Sequence, residues 1–561
     1  MGRSGRVRTV IALIVIVGAL LPWFSIGDHP LSGRSEGRYG WTSVVMSRTG
    51  EWLVPMYLGH PHLTKPPMIY WMQAASVKVF GATEFAVRLP SAVAGSIAVV
   101  LVFVIGRRLW GARRGAIAAA LYAVMPIHVV IARMAVTDSV LNVLWIGALA
   151  AGYRAVEARS RGWSVAMWGC VAAGLIVKGP VALIPVGVLI VWLALGGRWR
   201  ETARLGFLIG VPIAVAPILA WVIAVVVRHP EAVDIWRHEM VDRATGAGDH
   251  ARPFWYYLPV VLIGMFPATA MMTLPWFNLR WREAIGAVRG GDVRALMLVA
   301  VLVPVVVFTL IAGKLASYVL PCAIPLALLV SRNVEVWLTR DVVDGRRVPE
   351  IRVTLFVAFL CVLGVFAVAL PYGFGAGLLW AILPVAGVAI VMLWAVLHWR
   401  RGTRARLIGL VSAWVLTVFS IGAAMEIEDA GLSKMSHLRL VRSAMEHLEF
   451  GAAPAAVTYG MEDGTLSFYL EEDVPRIGSR DLALLAGGDG ALMVLTTPEA
   501  WARFSERWPN EAARFGLAGE RVDWPTAQTV IVMGRPGAMD GARRRSWLEI
   551  HPSDEPIRKW D

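Results

Sequence analysis

Seven charged side chains stand at or between apolar runs, where charge is costly to keep: Glu36, Arg38, Lys65 beside Pro66-Pro67, Asp138, Lys178 inside a Lys-Gly-Pro break, Arg243, and Lys314 inside a Gly-Lys-Leu break. A charge held at membrane depth is expensive, so each is a candidate for chemistry. The set has a usable composition. Lysine and arginine neutralise a phosphate or pyrophosphate, arginine adding a forked contact. A carboxylate can take a proton from an attacking hydroxyl. One lysine at the end of an apolar run is explained by snorkelling to the headgroups, but several cations gathered with a few carboxylates are not.

The elements that must position these residues follow from composition. The chain has 561 residues, 57% hydrophobic and 17% charged, with a mean hydropathy of +0.61, which makes the bilayer its main solvent. Apolar runs at 8–26, 88–106, 115–133, 138–153, 163–177, 180–197, 205–227, 256–278, 295–313, 316–331, 353–371, 376–398 and 407–425 predict about thirteen transmembrane helices. The expected fold is therefore a polytopic α-helical membrane protein.

Arginine sets the sidedness. From Arg3, Arg6 and Arg8 onward every second loop is basic, as at Arg107, Arg108, Arg113 and Arg114, then Arg154, Arg159 and Arg161, then Arg198, Arg200 and Arg204. The same phase runs on to 400–406, so the N-terminus is expected in the cytoplasm, and 27–87, 228–255 and everything after about 428 outside it. The candidate residues then share the extracytoplasmic side. There they suit the phosphate of a lipid-linked sugar, with membrane lipids as surroundings.

Several classes fall away. The net charge of +14 comes from short clusters between apolar runs and forms no long basic face, so no nucleic acid is expected as partner. Cys170, Cys322 and Cys361 lie inside apolar runs and offer neither a disulfide framework nor a CxxC metal site. His60 and His62 lack a third ligand nearby, so no cofactor is expected and a divalent metal is not supported. No internal repeat supports the halves of a transporter.

Two segments lie outside the predicted bundle. The loop 27–87 holds stretches 37–47 and 67–80 that read as helices lying along the interface, with Trp41, Trp52, Tyr57, Tyr70 and Trp71 fitting either an interfacial belt or sugar stacking. The tail carries short apolar runs at 455–459, 492–496 and 530–533 between charged helical stretches. The expected division is a transmembrane domain over 1–428 and a small extracytoplasmic α/β domain over 429–561.

The ordered motifs resemble the GT-C membrane glycosyltransferases of the aminoarabinose transferase and protein mannosyltransferase group. They are Ser35-Glu36-Gly37-Arg38-Tyr39, Thr64-Lys65-Pro66-Pro67 running to Tyr70-Trp71, Glu84-Phe85 with Arg88-Leu89-Pro90, Arg133 with Thr137-Asp138, Lys178-Gly179-Pro180, Arg243 before Pro253-Phe254-Trp255, and Gly313-Lys314-Leu315 with Ser317-Tyr318. The resemblance spans about 30–330. It implies inverting transfer of a sugar from a polyprenyl (undecaprenyl) phosphate to an extracytoplasmic glycolipid or glycan such as lipid A, in a bacterial inner (plasma) membrane. It also implies that Arg38, Lys65, Lys178, Arg243, Lys314 and Tyr318 hold the donor phosphate.

The chain departs from the family pattern at Ser35, where an aspartate is usual, at Thr64, where a glutamate is usual, and at Met240, where a histidine often stands. Serine is no base at its ordinary pKa, which leaves Glu36 or Asp138 as catalytic carboxylate, or an acceptor phosphate that needs none. The loss at 64 and 240 argues against a metal. Two other readings stand beside the first: transfer of mannose to protein hydroxyls, and a lipid-sugar flippase or transporter, which would instead bury its charges at the bilayer midplane.

Overall fold

The computed structural model describes residues 3–24, 26–28, 31, 33–237, 252–272, 291–339, 342–343, 346–347, 455–460, 467–468, 473–474, 476–487, 492–523 and 528–535. The chain divides into two compact units, one of Met1–Ile26, Leu63–Ile69 and Leu89–Ile427, the other of Gly27–His62, Tyr70–Arg88 and Glu428–Asp561.

The first unit is helical. Its leading elements are α1 (Arg3–Leu20), α4 (Glu84–Trp110), α5 (Ala112–Ala123), α6 (Pro126–Ala132), α7 (Asp138–Glu157), α8 (Arg161–Lys178), α9 (Ile184–Leu195) and α10 (Phe207–Arg228). Later helices are Tyr257–Gly264, Val293–Leu310 and Leu320–Thr339. Among the described residues six helical stretches are long and apolar enough to cross a membrane, with Arg161–Leu195 counted as one stretch, or seven if α5 and α6, bent by 67° where Pro126 starts a new helix, count as one. Their outer faces carry apolar side chains that water would not tolerate in such numbers, Leu208 at 95% exposure and Leu310 at 82% among them. This is a multi-pass membrane protein.

Glycines set how closely the helices approach. Gly115 of α5 leaves no room for a β-carbon against the backbone of Phe103 and Arg107 in α4, and Gly210 of α10 lies against the Trp168 ring of α8. The runs 163–177 and 180–197 form the two arms of a hairpin. Met167 of α8 and Leu189 of α9 both crowd Gly152 of α7, and Gly174 meets Ala182, so the chain reverses at Lys178-Gly179-Pro180. Gly179, at φ 72° and ψ −145°, takes a positive-φ conformation that favours glycine and ends α8.

Not every expected span forms one helix. The run 256–278 is interrupted at 265–267, between Tyr257–Gly264 and a short turn Ala268–Met272, because Pro267 cannot extend the preceding helix. The expected spans at 353–371, 376–398 and 407–425 lie outside the described residues.

The second unit joins segments far apart in sequence. It holds α2 (Gly33–Thr49), most of α3 (Met68–Phe80) and a two-residue antiparallel ladder of Met56–Tyr57 with His60–Pro61. It also holds a five-stranded sheet, ordered Arg476–Ile477, Ala455–Tyr459, Leu492–Thr496, Gln528–Arg535 and Gly516–Asp523. The first two pairings are parallel and the last two antiparallel. Leu492–Thr496 is buried along its whole length, as a central strand covered on both faces must be. Its core takes Leu482 and Phe504 from the helices Ser479–Gly487 and Pro498–Arg507. The Trp41 indole of α2 donates to Asp473 at 2.6 Å, and Gly40 packs against Phe468, so the early loop and the tail share one body.

Candidate active site

Asp138 is the first residue of α7 and Lys178 the last of α8. The two helices run side by side in opposite directions, which brings a carboxylate at a helix N-terminus against an ammonium at a helix C-terminus. Each charge is the sign its helix dipole favours. The Lys178 Nζ donates to Asp138 Oδ1 at 2.7 Å, with side chains 8% and 11% exposed. The Thr137 hydroxyl donates to the other oxygen at 3.2 Å, and Ser317 adds a side-chain hydrogen bond to the same carboxylate.

Tyr318 completes the group. Its ring lies 4.9 Å from Lys178 Nζ and is itself packed on Phe308 at 5.1 Å. The cation is therefore held by a carboxylate on one side and a ring face on the other. Asp138, Lys178, Ser317 and Tyr318 line one cleft, whose apolar wall includes Leu141, Trp145 and Phe308. A polar end beside an apolar wall suits a ligand with a charged head and a hydrocarbon body.

Lys314 is 4% exposed and donates to the carbonyls of Arg252 at 3.2 Å and Ala312 at 3.5 Å. Nearby the Tyr257 hydroxyl donates to Leu315 at 3.2 Å. Lys314 thus clamps two chain segments while holding a buried positive charge. Lys65 is half-buried, its Nζ donating to the Thr64 carbonyl at 3.0 Å. Arg243 lies outside the described residues.

In the second unit the two candidates part ways. Arg38 has its guanidinium 5.9 Å from the centre of the Tyr57 ring, within an aromatic group in which Tyr39 meets Tyr70 at 5.5 Å and His62 meets Tyr57 at 5.5 Å. Burial, aided by Tyr39, pushes the Tyr70 phenol well above its ordinary value, so that ring is a neutral surface. Glu36 sits in a different setting. It is wholly buried, and Arg88 holds both its oxygens, Nε to Oε1 and Nη2 to Oε2, at 3.0 Å each. A carboxylate so engaged holds α2 against the start of α4. Asp138 is left as the candidate carboxylate that lines a cleft.

Sequence reasoning missed Arg88 as the partner of Glu36 and Ser317 as a partner of Asp138. Both stand inside the motifs quoted above, in Glu84-Phe85 with Arg88 and in Ser317-Tyr318, so motif membership was the available signal.

The fold is that of a multi-pass helical membrane protein with a charged cleft beside apolar surface. The family model for dolichyl-phosphate-mannose-protein mannosyltransferase matches residues 64–223. The chain is 34% identical over 339 residues to the undecaprenyl phosphate-alpha-4-amino-4-deoxy-L-arabinose arabinosyl transferase of Pseudomonas aeruginosa (strain LESB58), a match covering 58% of this chain and 59% of that protein. It is 35% identical over 338 residues to the transferase of the same name from Aeromonas hydrophila, covering 56% and 57%. The chain thus spans about three fifths of the length of the curated relatives it matches. Its fold follows the crystal structure of ArnT from Cupriavidus metallidurans bound to undecaprenyl phosphate, with a TM-score of 0.75 at 21% identity over 95% of this chain and 98% of that one. Over these matched stretches the chain is similar to aminoarabinose transferases and protein mannosyltransferases, and its fold is that of the ArnT structure.

Proposed function

We propose that this protein is an inverting glycosyltransferase that moves a sugar from a polyprenyl phosphate, undecaprenyl phosphate by similarity to its relatives, to lipid A or another envelope glycolipid. The observation that carries the proposal is the cluster of Asp138, Lys178, Ser317 and Tyr318 in one cleft with an apolar wall. The work is extracytoplasmic, in a bacterial inner membrane, with the N-terminus in the cytoplasm, because the arginine-rich loops alternate in that phase.

In the proposed reaction the acceptor oxygen forms a bond to the anomeric carbon as the bond from that carbon to the phosphate oxygen breaks. The electron pair leaves with the polyprenyl phosphate. Cations from Lys178, Lys314, Lys65, Arg38 and Arg243 and the Tyr318 hydroxyl stabilise the charge growing on that leaving group, which lowers the barrier electrostatically. Asp138 accepts the proton of an acceptor hydroxyl; an acceptor that is already an ionised phosphate makes this step unnecessary.

The test is mass spectrometry of extracted lipids and envelope glycans from cells with and without the protein. Loss of one sugar mass from a glycolipid, with accumulation of the polyprenyl-linked sugar, supports transfer and names both substrates. The match of 64–223 to protein mannosyltransferases favours a second reading, in which the acceptor is a protein hydroxyl. A sugar mass lost from a periplasmic protein would decide for it, and a lipid-linked sugar changing leaflet with no glycan altered would turn the reading into a flippase.

A further inference from the structure

A second cavity lies at the opposite end of α8 from Lys178. An 18-residue helix is about 27 Å long, so the two sites are separated by most of a bilayer. This cavity encloses about 700 Å³ of empty space open to its surroundings. Its rim is polar and cationic, with Arg159, Ser160, Arg161 and Arg204; its floor is apolar, with Val165 and Ile209.

The local charges do not cancel. Between 154 and 204 the arginine-bearing loops hold six arginines, Arg154, Arg159, Arg161, Arg198, Arg200 and Arg204, against two acids, Glu157 and Glu201. Both acids are taken: Arg198 holds Glu157 at 2.7 Å and Glu201 at 2.8 Å, and Arg204 also pairs with Glu201. That shared pairing holds the Glu201 carboxyl below its ordinary value, Arg198 contributing most. Arg159 is within electrostatic range of Glu201, but among the described residues neither Arg159 nor Arg161 makes an ion pair of its own. Ser160 is the N-cap residue of α8 and makes no side-chain bond to the helix backbone.

The cavity is rigidly built. Ser164 and Trp168 both donate to the Leu205 carbonyl, at 2.8 and 2.7 Å, fastening α8 to the turn that starts α10. Its surroundings mark headgroup depth. Trp163 and Trp199 are 38% and 61% exposed nearby in sequence, as interfacial tryptophans are, and Arg154 lies 6.0 Å from the Trp163 ring centre. The apolar floor is itself open to the outside, Ile209 at 60% and Val165 at 45% exposure.

We propose that this cavity binds one anionic phospholipid of the leaflet on the arginine-bearing face, its headgroup phosphate between Arg159 and Arg161 and an acyl chain along Val165 and Ile209. Uncompensated guanidinium groups beside an apolar floor fit a phosphate joined to hydrocarbon, whereas a free anion would leave the floor uncovered. The site does not depend on the transfer reaction proposed above.

Native mass spectrometry of the full chain in mild detergent tests it, with phosphatidylglycerol, phosphatidylethanolamine or inorganic phosphate added. Phosphatidylglycerol is expected to stay bound in preference to phosphatidylethanolamine, with retention falling at least about fivefold in R159Q/R161Q, the loss expected when a phosphate loses its two charged contacts. The variant R107Q/R108Q, which removes the same charge from exposed residues at the end of α4, is expected to retain lipid. Ile209→Trp, which fills the floor and keeps every charge, is expected to lose it, so the proposal remains testable if the arginine variant does not fold. Equal loss in both arginine variants, retention in Ile209→Trp, equal retention of the two lipids, or displacement of lipid by inorganic phosphate would each overturn the proposal.

Discussion

Arg88 grips both carboxylate oxygens of Glu36 at 3.0 Å across 52 positions of sequence, and the two side chains are 5% and 1% exposed. Neither charge has water to fall back on. Removing one partner leaves the other buried and uncompensated, which costs about 3–5 kcal/mol. Arg88→Ala and Glu36→Ala are therefore expected to lower the thermal midpoint in detergent sharply. Glu36→Gln keeps the shape and one acceptor oxygen, and its folded fraction is expected to transfer sugar within a few-fold of the parent rate. A loss of about a hundredfold or more, the scale of a missing general base, would return Glu36 to the chemistry.

Asp138 and Lys178 form a second buried pair, at 2.7 Å. If Asp138 is the base, Asp138→Asn is expected to lower kcat by roughly 10²- to 10⁴-fold, with a smaller change in KM for the donor. If Lys178 meets the donor phosphate, Lys178→Met is expected to raise that KM. For stability, each single variant strands a buried charge and the double variant D138N/K178M strands none. The double is expected to be more stable than the two losses added together predict, with a coupling of about 0.5–3 kcal/mol. Simple additivity in a thermal or denaturant series would show that the pair is not coupled in the folded protein.

Much of this site was legible before the structure. The Lys-Gly-Pro and Gly-Lys-Leu breaks marked where cations interrupt apolar runs, and Asp138 marked the start of another run, so three of the residues that matter were visible as local anomalies of hydropathy. The pairing was not. Nothing in the period of α7 or α8 says that Asp138 faces Lys178; that follows from the antiparallel packing, which depends on Gly152 accepting Met167 and Leu189. The partner of Glu36 was hidden for a related reason: nothing local to a loop motif announces an arginine 52 positions away. The shared body of α2 and the tail, fixed by Trp41 and Asp473, had no periodic signal at all.

Tyr318 offers a way to separate ring from hydroxyl. Its ring lies 4.9 Å from Lys178 Nζ and on Phe308. Tyr318→Phe keeps the ring face and is expected to hold the lysine in place, whereas Tyr318→Ala removes a cation–π contact of about 0.5–2 kcal/mol. If the hydroxyl also meets the donor phosphate, Tyr318→Phe raises donor KM with little change in thermal midpoint, and Tyr318→Ala changes both. Equal effects from the two variants on KM and midpoint alike would leave the ring without a role.

The hairpin that carries Lys178 rests on space as well as charge. Gly152 in α7 lies where Met167 of one arm and Leu189 of the other converge, and any β-carbon there meets both. Overpacking of this kind costs about 1–3 kcal/mol, because side chains leave their rotamers or helices move apart. Gly152→Val is expected to lower stability by that amount and to weaken donor binding, since it spreads the arms whose junction places Lys178 against Asp138. Gly169→Val is the control, because a β-carbon at Gly169, in the α8 arm, meets nothing within 4 Å. Measured side by side for thermal midpoint and donor KM, the two variants should diverge. If they behave alike, the arms do not close on α7 as described, and the position of Lys178 must be set by something other than this packing.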